Sequence, residues 1–203
     1  MAAAHLVLLV EEPSMEAFLR GLLPMLLPQD RTFDIHAFRG KDDLLRKLDA
    51  RLRGYAHWLP HDWRIVVVVD RDEDDCRALK ARLDGVAREC GLRTDRTRPD
   101  WQLVNRIAIE ELEAWYFGDW AAVSAAYPRV SSSIPAKQAY RDPDHIAGGT
   151  WEAFERTLQR YGYFRAGLPK IEVARAIAAH ITPQANRSPS FKVFWRAVEE
   201  ALC

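Results

Sequence analysis

The sequence predicts an α/β fold: a parallel sheet sandwiched by helices, followed by a C-terminal helical elaboration. Three observations carry this reading. Short β-branched or apolar runs alternate with amphipathic stretches of helical period as far as residue 118. The strongest run, Ile65–Val69, is five apolar residues in a row, as suits a central strand covered on both faces. Beyond residue 119 the strand signal stops, and proline and glycine cut the chain into helix-length pieces.

Taken in order, His5–Glu11 reads as a buried strand that ends in carboxylates. Ser14 is placed to cap a helix in which Met15, Phe18, Leu19, Leu22 and Leu26 recur at helical spacing, and Pro24 should kink or shorten it. Phe33–Phe38 alternates as a second strand, and Lys41–Tyr55 carries the leucine stripe of an amphipathic helix. After Ile65–Val69 comes a helix with Cys76, Leu79, Leu83, Val86 and Cys90 on one face, stopped by Gly91. Trp101–Ile109 is the fourth strand, leading directly into a helix that holds Glu110, Glu111 and Glu113.

The remainder contains Pro128, Pro135, Pro143 and a Gly148-Gly149-Thr150 turn, then three helices: Trp151–Tyr161, Leu168–Ile181 and Pro189–Leu202. Ser188 and Pro189 make a well-formed start for the last of these, the serine as cap and the proline at the first helical position. Residues 1–118 are therefore taken as the α/β core and 119–203 as a helical extension packed on it, within one structural domain.

Composition excludes several classes. No apolar run approaches the roughly 20 residues of a membrane span. The run Leu6–Val10 is too short for a signal peptide and lacks a basic flank, so a cytoplasmic location is expected. The three cysteines have no paired metal spacing and read as core or surface thiols, while Pro60 separates His57 from His61. Lysine plus arginine and aspartate plus glutamate number 29 each, which argues against a nonspecific nucleic-acid coat protein. Residues 119–203 hold 11 basic against 8 acidic side chains, a weak asymmetry that a solvated surface explains equally well.

The chemistry concentrates at strand ends. Glu11 closes the first strand and Asp70 the third, with Asp72 two residues on. With right-handed crossovers and the third strand beside the first, these ends lie about 4.8 Å apart. Three carboxylates converging there need a cation, and hard oxygen donors favour Mg²⁺ or Mn²⁺. Asp74 and Asp75 suit the N-cap and first turn of the following helix. Glu110 and Glu113, three apart, share a helical face, which is either solvated or brings Glu113 to the metal cluster as a further ligand.

A strand ending in Glu, then a later apolar strand ending in Asp-x-Asp, resembles the Toprim domains of topoisomerases, primases and OLD-type nucleases. Here the segments are Leu8-Leu9-Val10-Glu11-Glu12-Pro13-Ser14 and Val67-Val68-Val69-Asp70-Arg71-Asp72. Four blocks in order resemble the Toprim-like DUF 4276 family over nearly the whole chain: Gly40–Leu44, the Asp70 loop, Ile109–Trp115 and Ser188–Phe191. That resemblance implies a Toprim-like, Rossmann-like sheet. It implies Glu11 as general acid/base or metal ligand, and Asp70 and Asp72 holding Mg²⁺ or Mn²⁺ against a phosphodiester. It also implies a nucleic-acid substrate, DNA or RNA, and an AAA/ABC-type ATPase partner in a phage-defence setting.

Lys41, Arg71, Lys170, Arg187 and Lys192 are the candidate substrate contacts, and each could equally be surface charge. Glu12 departs from the Toprim pattern, which has glycine there; its side chain either crowds a phosphate or adds a ligand. The alternatives are a catalytically inactive regulatory subunit and, third, a phosphatase or glycosyltransferase using Asp-x-Asp. No phosphate-binding glycine loop supports the third.

Overall fold

The computed structural model describes residues 2–203. Four strands, β1 (His5–Val10), β2 (Thr32–Ala37), β3 (Trp63–Asp70) and β4 (Leu103–Ala108), form one all-parallel sheet in the order β2-β1-β3-β4. Helices α1 (Pro13–Leu26), α2 (Lys41–Trp58) and α3 (Cys76–Glu89) are the crossovers. Then come α4 (Leu112–Gly118), α5 (Trp120–Ala126), two 3-10 turns, α6 (Thr150–Arg160), α7 (Lys170–Ala178) and α8 (Pro189–Leu202).

Because side chains of a strand alternate between faces, the central strands divide their apolar residues between two cores. Leu6, Leu8, Val10, Val66 and Val68 belong to the core shared with α1, α4 and the C-terminal helices. Val7, Leu9, Ile65, Val67 and Val69 face the core made with α2 and α3. A run apolar at every position is what a strand buried on both faces requires.

The first of these cores draws on residues from both sides of the 118/119 boundary. At one crossing the α1 backbone at Gly21 lies so near α7 that a Cβ there would sit 2.8 Å from the Ala178 Cβ. On the same core, α8 packs on β4, and Ser188 caps it by accepting the Phe191 N–H at 3.1 Å.

Several element ends differ from expectation. The α1 cap position is Glu12, not Ser14: Pro13, with fixed φ and no N–H to satisfy, takes the first helical position, and Ser14 is buried inside the helix. The helix runs through Pro24 and stops two residues later. Glu110 and Glu111 precede α4 rather than belonging to it, and Glu110 has φ 62. The expected helical face joining Glu110 to Glu113 therefore does not exist. Helix α5 lies where only broken segments were expected.

Among the described residues, no helix is long and apolar enough to cross a membrane. Cys76, Cys90 and Cys203 are all free.

Candidate functional site

The carboxyl ends of β1 and β3 are neighbours, with Val10 opposite Val68. In an open parallel sheet this is where loops can converge on a ligand. Glu11 Oε2 accepts the backbone N–H of Asp70 at 3.0 Å. Burial is the main force on the Glu11 carboxyl; the Asp70 N–H offsets it and the Asp72 charge adds to it, and the group is pushed up to about 7.

Asp70 is 6% exposed, and its Oδ1 is buried without a hydrogen-bond partner. Burial raises its carboxyl well above the usual range, and Glu11, Glu12, Glu113 and Asp72 push the same way. Glu113 enters from the first turn of α4 and is 2% exposed, again with an unpartnered oxygen, Oε2. Burial lifts it to about 8; Lys170 pulls back, while Glu111 and Glu12 add to the rise. The Tyr116 hydroxyl, one helical turn on, is buried and also unpartnered, and the charges of Glu113, Glu12 and Asp70 bear on it.

Lys170, at the start of α7, is the cation facing this group. Burial alone would lower its ammonium, but Glu113, Glu12, Glu111 and Asp70 together hold it above its ordinary value. Its Nζ lies 5.3 Å from the centre of the Trp151 ring. Glu111 is occupied elsewhere, accepting from Thr150 Oγ1 at 3.0 Å and the Trp151 N–H at 2.8 Å.

The loop after β3 is held by a different cation. Lys41 Nζ pairs with Asp72 and Asp74, each at 2.8 Å, and donates to the Arg71 carbonyl at 2.9 Å. Asp72 itself has φ 48, a left-handed conformation that aspartate tolerates better than most residues. Asp75 caps α3 as expected, accepting from the Ala78 N–H at 2.8 Å, whereas Asp74 is turned to Lys41 instead of the helix end. Arg71 is ion-paired to Glu110.

The fold thus joins Glu11 to Asp70 by a hydrogen bond and brings the charges of Glu12, Glu113 and Asp72 to bear on Asp70, with Lys170 facing them. Lys41 and Arg71 are engaged with acids of the loops, while Arg187 and Lys192 are exposed and form no ion pair among the described residues. Sequence reading did not assign Glu12 to the cluster. It marked this position as a departure from glycine that either crowds a phosphate or adds a ligand, and its charge acts on Glu11, Asp70, Glu113 and Lys170. Its carboxylate accepts from the Ser14 hydroxyl.

Two buried carboxylates with unsatisfied oxygens are costly by themselves, and hard oxygen donors are what Mg²⁺ or Mn²⁺ takes. The donor chemistry fits such a cation. Among the described residues, however, no group of three His, Cys, Asp or Glu side chains is set to hold a metal ion as it stands.

Sheet and site together define an α/β protein with an acidic centre at the carboxyl end of a parallel sheet. The chain belongs to the family described as Domain of unknown function (DUF4276), whose model matches residues 10–199. No curated protein and no solved structure matches the chain.

Proposed function

We propose that this protein is a divalent-metal-dependent nuclease, or another phosphodiester-processing enzyme, with a Toprim-like acidic site that uses Mg²⁺ or Mn²⁺. One observation carries the reading: Asp70 and Glu113 are both buried and both leave an oxygen without a partner at the carboxyl end of the sheet. Glu11, Asp70 and Glu113 would hold the cation, with Asp72 and Glu12 as the adjoining acids. A bound cation there would stabilise charge on a phosphodiester and activate water.

The chain's own residues supply the rest. Glu11, raised to about 7, can take up or release a proton near neutral pH, as a general acid/base must. Its bond to the Asp70 N–H fixes the carboxylate against the neighbouring strand. Lys170 is the cation best placed to meet a phosphate, because it already faces the acids. Lys41 orders the Asp72 loop, and Arg71, Arg187 and Lys192 are further candidate contacts. The proposal extends to a DNA or RNA substrate, an AAA/ABC-type ATPase partner in phage defence, and a cytoplasmic location.

The test is incubation with DNA and with RNA in Mg²⁺ or Mn²⁺, with and without a candidate ATPase, using Asp70→Ala as control. Metal-dependent cleavage that the substitution abolishes supports the reading. No cleavage under any of these conditions rejects it.

A second reading, a regulatory subunit without catalysis, is favoured by the Lys41 clamp, which occupies Asp72. It predicts retained ATPase binding and function in an Asp70/Asp72 double substitution.

A further inference from the structure

A cavity lies along the open edge of β4, between α3 on one side and α8 on the other. Its volume is about 360 Å³, and Ile107, Ile109, Pro189 and Val193 give it apolar walls. Sites for small organic ligands run from about 300 to 1,000 Å³ and are mostly apolar, with a few placed polar groups.

The polar group that sets this cavity apart is Arg106. Its side chain lines the cavity, and the residue is only 8% exposed. Nε donates to the Val193 carbonyl at 3.2 Å and Nη1 to the Asn105 carbonyl at 3.0 Å; Nη2 finds no acceptor among the described residues. No carboxylate among those residues is within ion-pairing distance of it. A guanidinium this largely buried without a counter-ion is unfavourable; carbonyl oxygens alone do not neutralise it, and the free Nη2 is not among the fully enclosed atoms.

Two other lining groups lie against acids, and a third is held by hydrogen bonds alone. Lys80 pairs with Asp84, and His145 lies 3.0 Å from Asp142. Asp144 accepts from Ser188 Oγ at 2.6 Å and from the Ser190 N–H at 2.8 Å. Asp144 has no cation partner among the described residues, but donors from Ser188 and Ser190 occupy both its oxygens, whereas Arg106 keeps Nη2 free to receive an anion.

We propose that this cavity binds a small amphipathic anion: an apolar body of drug-like size headed by one carboxylate or phosphate monoester, which Arg106 receives. The site is separate from the acidic centre and does not depend on its chemistry.

The experiment uses the full chain and two fluorescent probes of similar body, anilinonaphthalene sulfonate, which is anionic, and phenylnaphthylamine, which is neutral. Wild type is expected to bind both saturably at one site. Arg106→Met should weaken the sulfonate about tenfold or more, the loss of a charge-assisted hydrogen bond, and leave the neutral probe unchanged. Val193→Trp, at a position 49% exposed on α8, should fill the cavity and remove both. Displacement of the sulfonate by decanoate or by adenosine monophosphate then separates a carboxylate head from a phosphate head. Circular dichroism confirms folding; should R106M not fold, the Val193→Trp result and the displacement decide. Absence of saturable binding, sulfonate affinity unchanged in R106M, both probes retained in Val193→Trp, or displacement by neither anion each overturns the proposal.

Discussion

Glu11 and Asp70 are fastened to each other across two strands, the carboxylate of Glu11, one residue past β1, accepting the main-chain N–H of Asp70 in β3 at 3.0 Å. The bond positions one acid of the site by the backbone of another. It leaves the Asp70 side chain free, with Oδ1 buried and unmatched. The acidic centre therefore holds its geometry, and Lys170 offsets only part of what burial does to its carboxyls.

That charge should be visible as a pH dependence. Glu11 at about 7 and Glu113 at about 8 both titrate above the unfolded value for glutamate, about 4.3. The folded state then binds more protons than the unfolded state, so the contribution of these groups is full below the unfolded pKa and is lost as pH rises through the folded values. In chelator, Glu113→Gln should melt higher than wild type at about pH 8.5 and lose most of that advantage at about pH 4, as linkage requires. Thermal melts across this range check it; an advantage that grows toward acid would reject the assignment.

Asp70→Asn keeps the shape of the side chain and removes its buried charge. Without metal, its Tm at neutral pH should equal or exceed that of wild type. Mn²⁺ at about 100 times its Kd adds about 2.7 kcal/mol to a protein that binds it, and the variant should show none of this gain. Paired melts with and without Mn²⁺ make the comparison. An equal Mn²⁺ shift in both proteins would remove Asp70 from the site.

Lys41→Met should loosen the loop after β3, since one ammonium joins Asp72, Asp74 and the Arg71 carbonyl. The expected cost is at most about 1 kcal/mol, because Asp72 and Asp74 are half exposed and solvent screens both pairs. Urea titration reads the stability, and hydrogen exchange should show faster exchange of the amides in this loop. Unchanged protection would mean that the clamp does not order it.

Gly118→Ala tests how the C-terminal helix is seated. A Cβ at Gly118 would lie 2.9 Å from the Ser188 backbone N and collide with the Asn186 side chain. Asn186 is itself fixed, donating to the Trp115 carbonyl at 2.9 Å and accepting the Ser188 N–H at 2.9 Å. Overpacking of this kind costs about 1–3 kcal/mol, and a urea midpoint unchanged from wild type would contradict the packing described.

The four strands were legible because β1 and β3 are short apolar runs, β2 alternates, and helical stripes separate the strands. The α8 start was legible because Ser188-Pro189 is a local signal whose hydrogen bond lies within one turn. Element ends were less so. Pro13 displaced Ser14 from the α1 cap, and Glu110, in a left-handed turn, fell outside α4. Both outcomes depend on where the preceding strand releases the chain, which periodicity does not record.

By itself the sequence determined the sheet and which acids stand at its strand ends, because both follow from residue order along a strand. Only the tertiary structure decided which charges face one another. It turned Asp72 toward Lys41, gave Arg71 to Glu110, and brought Glu12, Glu113 and Lys170 to Asp70 from three separate elements. The reason is physical: burial and Coulomb interaction depend on distance in space, and these residues are spread over more than half the chain.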